Sequence, residues 1–470
     1  MYCPLKWIIF AHKIYTHHHI MNTAIELGTG NIASLLRKYA IPSIIAMTAS
    51  SLYNMVDSIF IGQGVGAYAI SGLAVTFPLM NLSAAFGAMV GVGASTLISV
   101  RLGQKDYSTA QKVLGNVLIL NIVIGILFTI FSLLFLDDIL YFFGASDNTI
   151  SYARDYMEII LMGNVITHLY LGLNAVMRAS GHPRRSMYAT IFTVVLNTIL
   201  DPLFIFVFDW GIRGAAIATV IAQALALTWQ LYLFSNQKEL LHFHKGIYRL
   251  KTKIVKDTLT IGLAPFMMNT AACFIVILVN NTLYRYEGDL AIGAYGIINR
   301  LAFLFLMVMM GFNQGMQPIS GYNYGAGHID RLFKVFRLTT ICACTVSTAG
   351  FLMAMIIPRL AVGIFTNDTS LIDLSVFGLQ VSMAAFPVIG YQIVTSNFFQ
   401  SIGMAGKAIL LSLTRQVIFL IPLLIVLPHL WGVTGVWAAQ SASDFLAFIM
   451  AFVMMQHQIK VFKKQGYTIN

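Results

Sequence analysis

The sequence predicts an all-α integral membrane protein of twelve transmembrane helices, arranged as two pseudo-symmetric six-helix bundles. Three observations carry this expectation. Apolar runs of bilayer-spanning length recur along the chain, its second half repeats its first, and Lys and Arg concentrate in alternate loops. A chain that is 58% hydrophobic and 10% charged, with mean hydropathy +0.78, could bury one or two such runs in a soluble core, but not twelve. In lipid, an apolar helix of about 20 residues satisfies its own backbone while crossing roughly 30 Å of hydrocarbon.

The first six runs fall at residues 39–61, 70–98, 112–135, 157–177, 187–208 and 214–234. The second six fall at 260–283, 291–317, 336–357, 378–399, 408–427 and 433–456. The expected organisation is therefore an N-lobe at 31–235, a basic cytoplasmic linker at 236–255, a C-lobe at 256–460 and a tail at 461–470. Residues 1–30 form an N-terminal tail, of which 1–20 look foreign to the rest, with Met21 as the expected natural start. The apolar stretch from Trp7 to Ala11 is too short for a signal peptide, and His17, His18 and His19 lack further ligands.

The two lobes match residue for residue. Pro42 corresponds to Pro265, Gly103 to Gly325, Arg178-Ala-Ser-Gly181 to Gln400-Ser-Ile-Gly403, and Trp210-Gly-Ile-Arg-Gly214 to Trp431-Gly-Val-Thr-Gly435. The offset drifts only between 220 and 223 residues. An even number of spans per copy sends both copies into the membrane from the same side, as in parallel repeats, and such duplication points to a transporter. Pro42, Pro78, Pro202, Pro265, Pro318, Pro387 and Pro422 fall in or near spans and predict bends. Glycines such as Gly87, Gly91 and Gly93 allow close helix approach, because packing drives helix association in lipid.

The net charge of +11 orients the protein rather than binding nucleic acid. Of the 29 Lys and Arg, 23 lie in the termini and the even-numbered loops, which places both termini in the cytoplasm by the positive-inside rule. Four cysteines, Cys3, Cys273, Cys342 and Cys344, provide no disulfide framework and no metal spacing. The chain shows no phosphate-binding loop, catalytic-triad spacing or zinc motif, so neither an enzyme nor an ATP-driven pump is expected, and no cofactor is implied.

Chemistry concentrates in the few ionisable groups within spans, since a carboxylate near a helix centre costs roughly 2.5–3.5 kcal/mol on insertion scales. Asp57 is the first; the plainer reading is a charge near the outer end of its span that pairs with an arginine. Asp201 is the second. It lies four residues after Asn197, so both side chains share a helix face, and Pro202 just beyond removes a backbone donor, with a bend that exposes carbonyl oxygens. Such a donor set suits a hard cation such as Na+, and a carboxylate alone suits a proton. The plainer reading has Asp201 capping the segment after the bend. Asp444 stands where Gln223 stands in the first copy, and Asn280 where Asp57 stands. Asp444 can meet a cationic ligand or pair with Arg415, and both readings stay open. Arg300 is expected near an interface. Asn313, Gln314 and Gln317 form a polar cluster that lines a cleft or ties helices together. The 23 methionines, with aromatic rings, suit a site for ligands of varied shape.

Several of these segments together resemble the multidrug and toxic compound extrusion (MATE) family. They are Tyr53-Asn-Met-Val-Asp57-Ser-Ile-Phe-Ile-Gly62, Met177-Arg-Ala-Ser-Gly181-His-Pro183, Leu196-Asn197-Thr-Ile-Leu-Asp201-Pro202 and Gly211-Ile-Arg-Gly214-Ala-Ala-Ile-Ala-Thr219. The resemblance covers nearly everything after Met21. It implies a V-shaped pair of six-helix lobes and an antiporter that exports cationic amphipathic compounds in exchange for H+ or Na+. In branches with an N-lobe cation site, the matching positions here are Asp57, Asn197, Asp201 and Thr219, which would also be the metal ligands if the ion is Na+. Branches with a C-lobe site carry acids in spans 7 and 10, where this chain offers only Asn269, Asn280, Asn281 and Gln392. The chain is in this respect more similar to the branch named for a DNA-damage-inducible protein. Asn313, Gln314, Gln317 and Asp444 are the candidate substrate contacts, and a monomer in the cytoplasmic (inner) membrane is expected. Two other readings are a flippase for a lipid-linked saccharide and a non-transporting receptor or structural protein. The flippase would call for extra spans and a cationic cavity, neither of which the sequence offers, and embedded carboxylates argue against the receptor.

Overall fold

In the computed structural model of the chain, which describes residues 26–467, helices carry almost the whole fold. The first bundle comprises α1 (Ile32–Gly64), α2 (Ala67–Gly103), α3 (Tyr107–Leu134), the short α4 (Leu136–Phe142), α5 (Ile150–Met162), α6 (Asn164–Ala179), α7 (Pro183–Pro202) and α8 (Gly211–Ser235). The second comprises α9 (Thr252–Glu287), α10 (Asp289–Gly325), α11 (Ile329–Ile356), the short α12 (Pro358–Gly363), α13 (Thr369–Ser382), α14 (Phe386–Ser401), α15 (Ala405–Leu413), α16 (Ile421–Trp431) and α17 (Val433–Lys464). Among the described residues ten helical spans are long and apolar enough to cross a bilayer, and the bent pairs α5–α6 and α13–α14 each add one more. The total is the twelve that the apolar runs predict. The expected tail at residues 1–20, the start at Met21 and Cys3 lie outside the described residues.

Local chemistry sets the helix ends. Asn31 begins α1 by accepting hydrogen bonds from the Ala33 and Ser34 amides, at 3.0 and 3.2 Å. Asp368 serves α13 in the same way, accepting from Ser370 and Leu371 at 2.8 and 3.1 Å. Each side chain satisfies donors that the first helical turn leaves free. The turns after α6 and α14 use Gly181 and Gly403, at φ +96° and +77°, conformations that side-chain-bearing residues rarely adopt. These two glycines are repeat mates, so the duplication preserves the turn as well as the helices.

The sharpest bends are not at most of the prolines. α5 and α6 meet at 56° across Gly163, and α13 and α14 at 53° across residues 383–385, just before Pro387. Pro42, Pro78, Pro265 and Pro318 sit inside continuous helices. Pro202 and Pro422 flank π-helical turns, Leu203–Val207 and Thr414–Leu420, in repeat-related spans. A missing amide is absorbed there by local rewinding.

The bundles meet along two repeat-related seams, α2 on α9 and α1 on α10, with α2 and α10 also in contact. Glycine makes this approach possible. A Cβ at Gly93 would lie 1.9 Å from the Thr258 carbonyl oxygen, and one at Gly262 would lie 1.9 Å from that of Met89. Gly315 similarly seats on the backbone of Ala40. The N-terminal lead-in and the end of α17 lie at one basic end, where Asn323 donates to the Leu27 carbonyl and Tyr324 meets the ring of Phe462.

Candidate functional site

The site is built from four helices of the first bundle. On α1, Tyr53 and Asp57 are one turn apart and share a face. On α7, Asn197 and Asp201 do the same just before the π turn. Thr219 comes from α8, and Tyr156 from α5, above the bend at Gly163. Asp57 is 6% exposed, Asn197 1%, Asp201 0% and Thr219 8%. A second apolar cluster surrounds this region, including Ile61, Tyr156, Ile205 and Ala216.

The four residues matched by the sequence motifs therefore come together. Asn197 Nδ2 donates to Asp201 Oδ1 at 3.0 Å and to Thr219 Oγ1 at 3.4 Å. The Tyr53 and Thr219 hydroxyls share a hydrogen bond at 3.0 Å. The Asp57 and Asp201 carboxyls are close neighbours, and the Tyr156 hydroxyl lies near Thr219. Three acceptors in the cluster, Asp57 Oδ1, Asn197 Oδ1 and Asp201 Oδ2, are buried without a hydrogen-bond donor. Each orphaned acceptor costs about 1–3 kcal/mol, a cost that a positive species bound among them would offset. Two adjacent carboxylates away from water repel, and a shared proton or a hard cation removes that repulsion. All the available donors are oxygens, which suits an alkali cation as well as a proton. Among the described residues no group of three His, Cys, Asp or Glu forms a metal cluster.

Tyr53 and Tyr156 were not singled out by sequence reasoning. Tyr53 carried a usable signal, because it precedes Asp57 by four residues on the same helix face. Tyr156 carried none, because the bend of its span brings it to the site.

The second bundle has no comparable cluster at the repeat-related positions. Asn280 replaces Asp57, and Gln440 stands in the place of Thr219. Of the two readings open for Asp444, the structure holds the ion pair: Arg415 Nε donates to Asp444 Oδ1 at 2.7 Å, with Asp444 2% exposed. Gln440 lies at 3.4–3.5 Å from the same carboxylate. The Asn313, Gln314 and Gln317 cluster lies mainly on the seam between bundles. Gln314 donates to the Met47 sulfur at 3.1 Å, and Gln317 to Thr96 Oγ1 at 2.9 Å and the Val92 carbonyl at 3.4 Å. Asn313 donates to the Met309 carbonyl of its own helix at 2.9 Å, and its oxygen is buried without a partner. Gln314 and Gln317 are thus tied across helices. Arg300 is exposed.

The family model MatE matches residues 42–203 and 265–426, once in each half of the chain. The multidrug export protein MepA of Staphylococcus haemolyticus (strain JCSC1435) is 28% identical over 425 residues, covering 90% of this chain and 93% of that protein. MepA of Staphylococcus aureus (strain NCTC 8325 / PS 47) is 28% identical over 427 residues, covering 88% and 92%. Among solved structures, the MATE multidrug transporter DinF-BH superposes with a TM-score of 0.86 at 36% identity, covering 92% of this chain and 96% of that one. A MATE in the bent conformation gives 0.89 at 23% identity, covering 95% and 99%, a likeness of fold alone.

Proposed function

The chain belongs to the MatE family of membrane transporters, and on that premise we propose that it is a secondary-active antiporter expelling cationic amphipathic compounds in exchange for H+ or Na+. The observation that carries the coupling reading is the trio of orphaned oxygens on Asp57, Asn197 and Asp201. The names of the similar proteins, multidrug exporters, support the substrate class. The 36% identity to DinF-BH favours the DNA-damage-inducible branch. The concentration of Lys and Arg at one end supports an inner-membrane location with both termini cytoplasmic, and one chain contains both lobes, so a monomer suffices.

In this reading, a cation entering from outside binds between Asp57 and Asp201 and neutralises their repulsion. The Asn197 amide holds Asp201, and Thr219 ties α8 to both α1 and α7 through Tyr53 and Asn197. Loading the site therefore alters the packing of three helices together. The spans holding Tyr156 and Asp201 contain a break and a π turn respectively, where small rotations cost least. Release of drug accompanies that rearrangement, and passage inward delivers the cation to the cytoplasm. About 2.3 kcal/mol per charge is available from each 100 mV of potential. That supports roughly a fiftyfold gradient of a neutral solute per charge.

The test is efflux of a fluorescent organic cation from vesicles with imposed pH or Na+ gradients, comparing the parent with Asp57→Asn and Asp201→Asn. Loss of gradient-driven efflux in either variant supports the assignment. Parental rates in both, under either gradient, would remove it.

A further inference from the structure

At the basic end, the lead-in to each lobe is held by the other lobe. Residues 26–31 run into α1, yet two second-bundle side chains grip their backbone. Asn323, at the end of α10, donates to the Leu27 carbonyl at 3.0 Å. Arg331 of α11 donates to the Gly30 carbonyl at 2.6 Å and to that of Leu27 at 3.4 Å. Asn323 also orients this guanidinium by accepting from its Nε at 3.1 Å. Leu27 is 1% exposed, and Gly28 lies so close to the Tyr322 ring that a Cβ would sit 2.7 Å from it.

Residues 247–251 run into α9 and are held by the first bundle. Asn116 of α3 donates to the Arg249 carbonyl at 3.1 Å and accepts from the Lys251 amide at 3.1 Å. Gly115 lies against the Ile247 backbone, where a Cβ would sit 2.2 Å from the carbonyl oxygen. The offset that relates Pro42 to Pro265 sets Leu27 opposite Leu250, beside Arg249, and Tyr107 and Ile329, the first residues of α3 and α11, are likewise repeat mates. Equivalent helices thus grip equivalent segments across the pseudo-two-fold axis, although the gripping side chains differ.

We propose that these are two crossed straps that lock the lobes together at the basic end, and that both must release before the transporter opens there. Each lead-in is continuous with a span of its own lobe, while the Leu27, Gly30, Arg249 and Lys251 backbone groups bond to side chains of the other lobe. Rigid-body parting of the lobes at this end therefore breaks both grips, and parting at the opposite end need break neither. The straps are unequal. Arg331 makes charge-assisted bonds to carbonyls and Asn116 makes neutral ones, so the 247–251 strap yields first. The proposal rests on the alternating-access reading above.

The test uses full-length protein with Cys3, Cys273, Cys342 and Cys344 replaced by Ala and with Ser99→Cys as reporter. Ser99 is fully buried on the seam beside Gly321. In vesicles with the basic end outward, a membrane-impermeant maleimide should label this thiol about tenfold faster in Arg331→Ala/Asn116→Ala than in the parent, with each single variant between. Unchanged labelling in the double variant overturns the proposal. A second arm holds a strap shut instead of loosening it: Gly28→Cys with Tyr322→Cys, without the reporter thiol, is bridged by a short bifunctional thiosulfonate, since the contact at Gly28 is to the far edge of the Tyr322 ring and leaves the two Cβ atoms too far apart for a direct disulfide. Export should stop on cross-linking and return with reductant, and export at the uncross-linked rate while bridged would equally overturn the proposal. Labelling requires neither gradient nor drug. A parent that fails to export would therefore count against the transport reading while leaving the straps testable.

Discussion

Gly103 and Gly325 each seat against the backbone of the helix that carries the other. A Cβ added at Gly103 would lie 2.0 Å from the Tyr322 carbonyl oxygen, and one added at Gly325 would lie 2.0 Å from that of Val100. Val100 and Tyr322 are themselves repeat mates, so the contact is reciprocal about the pseudo-two-fold axis between α2 and α10. Backbone cannot swing away as a side chain can, so Gly103→Val must push the lobes apart at the basic end. Overpacking of this kind costs about 1–3 kcal/mol. The thermal midpoint in lipid nanodiscs should fall, and a melting curve unchanged from the parent would show a looser seam.

At the proposed cation site, neutralising either carboxylate removes charge, whereas Tyr53→Phe removes only one hydroxyl partner of Thr219. A hydrogen bond of that kind contributes about 0.5–1.5 kcal/mol. Efflux should therefore fall by about twofold to tenfold in Tyr53→Phe while keeping its dependence on the imposed gradient. Asp201→Asn should lose that dependence altogether. Identical behaviour of the two variants in vesicle efflux would argue against a supporting role for Tyr53.

In the second bundle, Arg415→Gln leaves Asp444 buried beside a neutral partner. Removing one member of a buried ion pair costs about 3–5 kcal/mol, whereas replacing both by apolar residues of similar volume is often neutral. Arg415→Met with Asp444→Leu should accordingly melt higher than Arg415→Gln alone. If Asp444→Asn instead keeps the parental melting curve and abolishes export, Asp444 acts on substrate and not through Arg415.

The turn between α2 and α3 provides a pH dependence outside the membrane. Hydrogen bonds from the Thr109 side chain and amide, the latter at 3.0 Å, hold the Asp106 carboxyl below its usual range, helped by Arg101 and Lys112. Folding lowers this pKa, so the stabilisation is complete above the carboxyl's ordinary value of about 4 and is lost as pH falls through the lower folded value. Hydrogen exchange at the Thr109 amide, corrected for intrinsic rates, should therefore lose protection only in that acidic window. Asp106→Asn should keep the cap and remove the pH dependence.

Much of the architecture could be read from residues alone. Hydrocarbon admits only backbone that bonds to itself, so every apolar run near 20 residues had to become a helix. The correspondence of Gly181 with Gly403 was legible too, and the structure adds that both form turns with positive φ. The bends were less legible. Proline can be absorbed in a continuous helix or a π turn, as at Pro42 and Pro202, while the 56° break falls at Gly163, which has no proline beside it.

By itself the sequence determined the twelve spans, the duplication and the pairing of Asn197 with Asp201, because spacing along one helix sets which side chains share a face. Only the tertiary structure decided what meets across helices. It brought Tyr156 to Thr219, joined Arg415 to Asp444, placed Gln314 and Gln317 on the seam and crossed the two lead-in segments. Those outcomes depend on bend angles and interhelical distances, which arise from the packing of many side chains at once and leave no periodic trace in any one segment.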